Sequence, residues 1–180
     1  MVGAVLTQNT AWSNVEKAIR NLKAAGQLEL QFMARMRERR LAGLIRSAGY
    51  FNVKAKRLKA LSAWLQAAGG EPALRNRSTP DLRTALLSVH GIGPETADDI
   101  LLYAFDRPVF VIDAYTRRLL KNLHLAAGDE HYEKLRSAFE TALGDDADLF
   151  KEYHALIVRH AKEKCIKTPD CRHCAAERPF

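Results

Sequence analysis

The sequence predicts an all-helical fold. Apolar residues recur at three- and four-residue spacing along most of the 180-residue chain, and Gly and Pro punctuate it where helices would end. No segment alternates apolar and polar residues over the length of a strand. The extended apolar run Val109-Phe110-Val111-Ile112 is short, and it reads as a buried link rather than a strand of a sheet. A chain of this length forms one globular unit or two small lobes sharing a cleft. Its 47% hydrophobic content supplies a core, yet no apolar run is long enough to span a membrane.

The spacing predicts helices over 2–7, 11–25, 28–34, 37–47, 51–68, 80–89, 94–105, 113–124, 129–142 and 146–161. Breaks fall at Gly26, Gly49, Gly69-Gly70-Glu71-Pro72, Gly91 to Pro94, Arg107-Pro108, Gly128 and Gly144. The first helix begins at Met1-Val2-Gly3 without a preceding cap and without the basic start and cleavage site of a signal peptide. A cytoplasmic protein is therefore expected. In the helix over 80–89, Thr79 is a candidate cap, Pro80 suits the first helical position, and Asp81 meets the positive end of the helix dipole. Leu82, Leu86, Leu87 and Val89 form its apolar face.

The stretch Leu86-Leu87-Ser88-Val89-His90-Gly91-Ile92-Gly93-Pro94-Glu95-Thr96-Ala97 carries the most chemical information. Gly91 and Gly93 flank Ile92 in a tight turn, and Pro94 restarts a helix whose buried stripe is Ala97, Ile100, Leu101 and Ala104. Backbone N–H groups freed by such a turn at a helix N-terminus make an anion site, and His90, Gly91, Ile92 and Gly93 are candidate contacts to a DNA phosphate. An ordinary helix–Gly–helix connection is the plainer alternative. The net charge of +7 and pI near 9.5 favour a polyanionic partner. Arg35, Arg37, Arg39, Arg40, Arg46, Lys54, Lys56, Arg57 and Lys59 crowd one stretch in which Glu38 is the only acid. Part of this set is expected on a DNA face and the rest on solvated helix faces. The three cysteines, Cys165, Cys171 and Cys174, fall in the last sixteen residues, and an odd, clustered set fits ligand use in a reduced compartment better than disulfides.

Gly91 to Arg118 resembles the helix-hairpin-helix, Gly/Pro-rich loop and aspartate signature of the endonuclease III superfamily of DNA glycosylases. Gly3-Ala4-Val5-Leu6-Thr7-Gln8-Asn9-Thr10 resembles the family's first helix and Gln-bearing loop, and Gly49-Tyr50-Phe51-Asn52-Val53-Lys54-Ala55 resembles its G-x-x-N-x-K-A turn. The resemblance implies two helical lobes with a catalytic cleft between them. One lobe would be a bundle over 8–106 carrying the hairpin, the other 1–7 joined to 107–180. The family carries one more segment ahead of the first helix, and an N-terminus without it is expected to leave apolar surface uncovered. The implied partner is double-stranded DNA with a flipped damaged base, bound by a monomer.

Breaking the C1′–N bond leaves the sugar oxocarbenium-like. A carboxylate near C1′ can stabilise that charge and orient water once the base has left the stack. The resemblance gives that role to Asp113. On spacing alone Asp113 is a helix cap, and both roles can coexist. Gln8, with Asn9 beside it, would fill the gap left by the flipped nucleotide, with a loop glutamine bonded to backbone as the equal alternative, and Lys54 would contact DNA. In bifunctional members the position of Glu95 is a lysine whose amine attacks C1′ and leads to strand cleavage. Glutamate cannot do this, and a Gly-x-Gly-x-Glu-Thr-Ala-Asp hairpin is more similar to the branch that removes alkylated purines. Such bases are cationic, so Trp12, Phe51 and Tyr115 are candidate pocket aromatics, each with a core role as the alternative. A bifunctional glycosylase/AP lyase acting on oxidised pyrimidines and a non-catalytic damage-binding module stand as alternatives.

Cys165-x5-Cys171-x2-Cys174 lies where the family places a 4Fe-4S loop, but the fourth thiolate position falls at Phe180. Three outcomes stay open: a cluster with another ligand such as His173 or His160, a zinc site of three cysteines and one histidine, or a loop without metal. His90, His124, His131 and His154 show no ligand pattern and read as structural or exposed. Asp98 and Asp99 read as solvated or capping.

Overall fold

A computed structural model describes residues 1–164. Among these residues, eleven α-helices and one 3-10 turn make up the regular structure, and there is no strand. The all-helical expectation holds. No helix among the described residues is long and apolar enough to cross a membrane. The three cysteines lie outside the described residues.

The chain divides into two compact units, residues 1–100 and 101–180, with the division inside one helix. The first unit holds α1 (Val2–Leu6), α2 (Trp12–Ala24), α3 (Leu30–Arg35), α4 (Glu38–Leu44), the 3-10 turn Arg46–Ala48, α5 (Phe51–Ala67), α6 (Gly70–Arg75), α7 (Thr79–Leu87) and the start of α8 (Pro94–Phe105). α5 is its centre. Ala55, Leu58 and Leu61 recur at helical spacing and are fully buried, and α1, α3, α4 and α6 pack around them.

Three local differences from the sequence-based expectation have physical causes. Gly69 and Gly70, at φ +84° and +82°, open α6 instead of ending in loop. Pro72 then lies in the first turn, where its missing N–H costs nothing, and buried Leu74 anchors the helix. The helix expected over 37–47 breaks at Ile45 into α4 and the 3-10 turn, which ends at Gly49 with φ +65°. The cap of α7 is Ser78, whose Oγ accepts the Asp81 N–H at 3.2 Å, rather than Thr79.

The second unit holds the end of α8, α9 (Ala114–Asn122), α10 (Tyr132–Leu143) and α11 (Ala147–Glu163). Val109 to Ile112 is the buried link expected, without strand pairing. Phe110 is the hub: its ring stacks on Phe139 at 4.2 Å and meets Phe150 edge-on at 5.4 Å. α10 starts three residues later than expected because the Glu130 carboxylate accepts the Ala127 and Gly128 N–H groups and holds that segment as a turn.

Candidate functional site

In the first unit three turns meet. The hairpin between α7 and α8 is fixed from within by Val89 and Ile92, both buried, and by the Ile92 N–H donating to Val89 O at 3.0 Å. His90, Gly93 and Glu95 are exposed. Gly91 takes φ +81°, and a Cβ there would collide with Arg57 Cγ. The close approach that demands glycine at 91 is therefore the Arg57 side chain. Gly93 faces open space, with nothing within 4 Å of a Cβ. Ile92 is buried and its N–H is taken by Val89 O, so neither its side chain nor that N–H is turned to an outside anion, contrary to the expectation for this residue.

The turn between α1 and α2 brings Gln8 to this hairpin. Gln8 Nε2 donates to Gly91 O at 3.2 Å and to Thr96 Oγ1 at 2.9 Å, while Gln8 Oε1 accepts from Arg57. Asn9 beside it is exposed, at φ +51°. Arg57 is one cation among the nine of the basic stretch, and Thr96 belongs to the hairpin motif without any sign there of its partner, so the pairing of these residues with Gln8 is not legible in the sequence.

Lys54 is a correction. It is expected on DNA from the sequence, but it is 1% exposed. Its Nζ donates to Leu6 O at 2.8 Å, Thr10 Oγ1 at 2.7 Å and Ala48 O at 2.7 Å. All three ammonium protons are used inside, so no phosphate can reach it. Burial first, and then the Arg57 charge, lower its pKa to about 8. Lys54 thus ties the Gln8-bearing turn to the Gly49-Tyr50 turn. Tyr50 there is 70% exposed in the left-handed region at φ +44°.

Asp98 is a second correction. It is fully buried, and Arg83 grips it with two bonds, Nε to Oδ1 at 2.6 Å and Nη2 to Oδ2 at 3.0 Å, locking α7 to α8.

In the second unit Asp113 caps α9. Its Oδ1 accepts the Thr116 N–H at 2.7 Å and the Thr116 hydroxyl at 2.9 Å. Its Oδ2 lies 3.6 Å from Nε2 of His154. Burial pushes the carboxyl up, but His154 and the Thr116 hydrogen bonds outweigh it and hold the pKa below the ordinary aspartate value. The carboxylate is therefore ionised at neutral pH. His154, expected to be structural or exposed, is 8% exposed and is the group behind Asp113; it lies on α11, beyond all of α9 and α10, where spacing gives no clue.

The three candidate aromatics are not equivalent. Trp12 is 49% exposed, its indole N–H on Glu16. Phe51 lies under the Arg46 guanidinium at 5.8 Å. The Tyr115 ring already carries Arg118 at 5.1 Å and Lys162 at 5.2 Å. Among the described residues no cluster of three or more His, Cys, Asp or Glu could hold a metal.

Residues 2–144 match the family model of the HhH-GPD superfamily base excision DNA repair proteins. The chain belongs to this superfamily. Within it, the chain is 46% identical over 177 residues to a Methanocaldococcus jannaschii protein assigned to the DNA repair glycosylases, covering 97% of this chain and 80% of that one. It is 26% identical to the endonuclease III of Thermotoga maritima, covering 97% and 78%. Among solved HhH-GPD structures, the 3-methyladenine DNA glycosylase of H. pylori, bound to 1,N6-ethenoadenine, superposes with a TM-score of 0.79 at 34% identity over 93% of this chain and 85% of that one. A non-covalent endonuclease III–DNA complex shares the fold, with a TM-score of 0.80 at 20% identity over 97% and 78%.

Proposed function

We propose that this HhH-GPD protein is a monofunctional DNA glycosylase that hydrolyses the N-glycosidic bond of an alkylated purine in double-stranded DNA. The observation that carries this reading is Asp113: a carboxylate held ionised, with Oδ1 fixed by Thr116 and no lysine at the hairpin position occupied by Glu95. The 34% identity to a 3-methyladenine DNA glycosylase supports the substrate class.

The chemistry follows from the charges. As the C1′–N bond breaks, its electron pair leaves with the base and the sugar becomes cationic. The Asp113 carboxylate stabilises that cation and orients a water, whose oxygen bonds to C1′ and whose proton passes to the carboxylate or to solvent. An N-alkylated purine starts cationic and leaves neutral, so no strong acid is needed on the base. Glu95 is exposed at the first turn of α8, where its charge suits the helix dipole, and it has no amine to form a Schiff base. Lys54 supplies none either, because its Nζ is enclosed. Gln8 and the hairpin turn, already bonded to each other, form the DNA-holding part. Cys165, Cys171 and Cys174 keep three of the four thiolate positions of an iron–sulfur loop, and iron content and visible absorption of the purified protein would test whether a cluster is bound.

The deciding experiment is base release and strand nicking on a duplex methylated with dimethyl sulfate, with and without later alkali. Methylpurine release with nicks only after alkali is the expected result. Nicks without alkali overturn monofunctionality, and bound DNA without release favours a damage-binding module.

A further inference from the structure

His154 has a buried ring nitrogen, Nε2, without a hydrogen-bond partner, and it points at the carboxylate just described. Buried polar atoms are normally paired, so an unpaired one aimed at a reacting group calls for a functional account. The other nitrogen settles the ring's proton. Nδ1 lies 2.8 Å from the Tyr103 hydroxyl. If Tyr103 accepted a proton from Nδ1, the Nε2 lone pair would face Asp113 Oδ2 and repel it. If Tyr103 donates to Nδ1, the ring proton sits on Nε2 and points at Oδ2. The second arrangement is favoured, and a doubly protonated ring keeps the same N–H toward Asp113.

We propose that Tyr103 and His154 form a positioning relay for Asp113. The Tyr103 hydroxyl fixes the imidazole with its proton on Nε2, and that N–H is aimed at Oδ2 and attracts it electrostatically while the Thr116 hydrogen bonds hold Oδ1, so the carboxylate keeps one rotamer. The relay rests on the glycosylase reading for its catalytic meaning, but its geometry stands apart from it. At 3.6 Å the Nε2–Oδ2 contact is longer than a formed hydrogen bond, so Oδ2 keeps lone pairs available to a sugar cation or a water. Within the second unit, Thr116 of α9 and His154 of α11 act on Asp113, and Tyr103 of α8, Asp113 and the edge-on ring of Phe110 face His154. Two cations on the same helices, Arg118 and Lys162, sit over the Tyr115 ring. Tyr103 is 45% exposed, so its hydroxyl is removable without opening the core.

The test is NMR of the full, DNA-free protein: nitrogen shifts of the His154 ring and the carboxyl-carbon titration of Asp113, in wild type, Tyr103→Phe, His154→Gln and His154→Phe, with a thermal melt for each. The neutral wild-type ring should carry its proton on Nε2. Tyr103→Phe should populate both tautomers. The Asp113 titration should move to higher pH in His154→Phe, and less far in His154→Gln, whose amide donates but cannot become charged. A purely structural histidine would lower the melting temperature without moving the titration. A wild-type ring protonated on Nδ1, or an Asp113 titration unmoved in both His154→Gln and Tyr103→Phe, overturns the relay even if His154→Phe fails to fold. On methylated duplex, the acid limb of base release should move up with the Asp113 titration. Base release that survives in Asp113→Asn would overturn the catalytic role of Asp113 instead, with the NMR result standing.

Discussion

At Asp113 one side chain caps a helix and, in the proposed mechanism, stabilises the sugar cation, and the right substitution separates the two roles. Asparagine caps helices about as well as aspartate, so Asp113→Asn should keep α9 and bind DNA as tightly as wild type while losing base release by roughly 10²–10³-fold, as loss of a charge-stabilising group does. Asp113→Ala should lose the activity and in addition about 1 kcal/mol of stability, read by urea denaturation. Because the folded-state pKa lies below the unfolded one, the carboxylate favours folding above the ordinary aspartate range, and that contribution is lost as pH falls through the lowered value. Lys54 has the opposite sense. Its pKa drops from 10.5 unfolded to about 8 folded, so below pH 8 the folded chain bears the full cost of a buried cation. Wild-type stability should rise relative to Lys54→Met as pH climbs from about 8 to 10.5. At neutral pH the Met variant should still be less stable by about 2 kcal/mol, since Leu6 O loses its ammonium partner in a buried site. A pH-independent difference between the two would mean that Lys54 does not titrate there.

At the scale of elements the hairpin depends on what lies behind it. Asp98 and Arg83 join α7 to α8 by a bidentate pair whose carboxylate is fully enclosed. Asp98→Asn leaves the guanidinium half-paired in a buried site and should cost about 3 kcal/mol, seen as a lower melting temperature, with weaker DNA binding as the two helices lose their fixed angle. Unchanged melting would show that the pair contributes no net stability. This pair also marks where legibility in the sequence ends. The hairpin, its glycines and its restart at Pro94 are readable because turn chemistry is local: φ +81° at Gly91 and a proline at a helix start are demands of neighbouring residues. The bounds of α8 follow to the residue for the same reason. Asp98, Lys54 and His154 escape such reading because the groups each one faces come from elsewhere along the chain, and a polar residue looks alike in sequence whether it meets water or a buried partner. α6 is hidden by a sound local rule: Gly-Gly-Glu-Pro punctuates chains, and in this chain it opens a helix instead of ending one.

At the scale of the molecule the net charge of +7 is unevenly deployed. Of the basic stretch in the first unit, Lys54 is buried, Arg57 is bonded to Gln8, and Lys59 donates to Ala34 O and Met36 O at 2.8 and 2.5 Å. Arg35, Arg37, Arg39, Arg40, Arg46 and Lys56 stay exposed. In the second unit Asp106, Asp145, Asp146 and Asp148 line one concave surface that would repel a phosphate backbone. Binding to duplex DNA should therefore be strongly salt-dependent and carried by the first unit. Each phosphate neutralised contributes about −0.9 to the slope of log K against log salt. Arg39→Gln with Arg40→Gln should make the slope shallower by about one unit for each phosphate that is no longer neutralised, with affinity falling alike for damaged and undamaged duplex, because phosphate binding carries no base information. Base release at saturating enzyme should be unchanged, since in the proposed mechanism the arginines steer and hold while Asp113 acts on the sugar. A slope equal to that of wild type would place this arginine face in solvent and leave the hairpin turn as the main phosphate site. An equal drop in base release at saturation would instead mean that these arginines set the position of the DNA on the site.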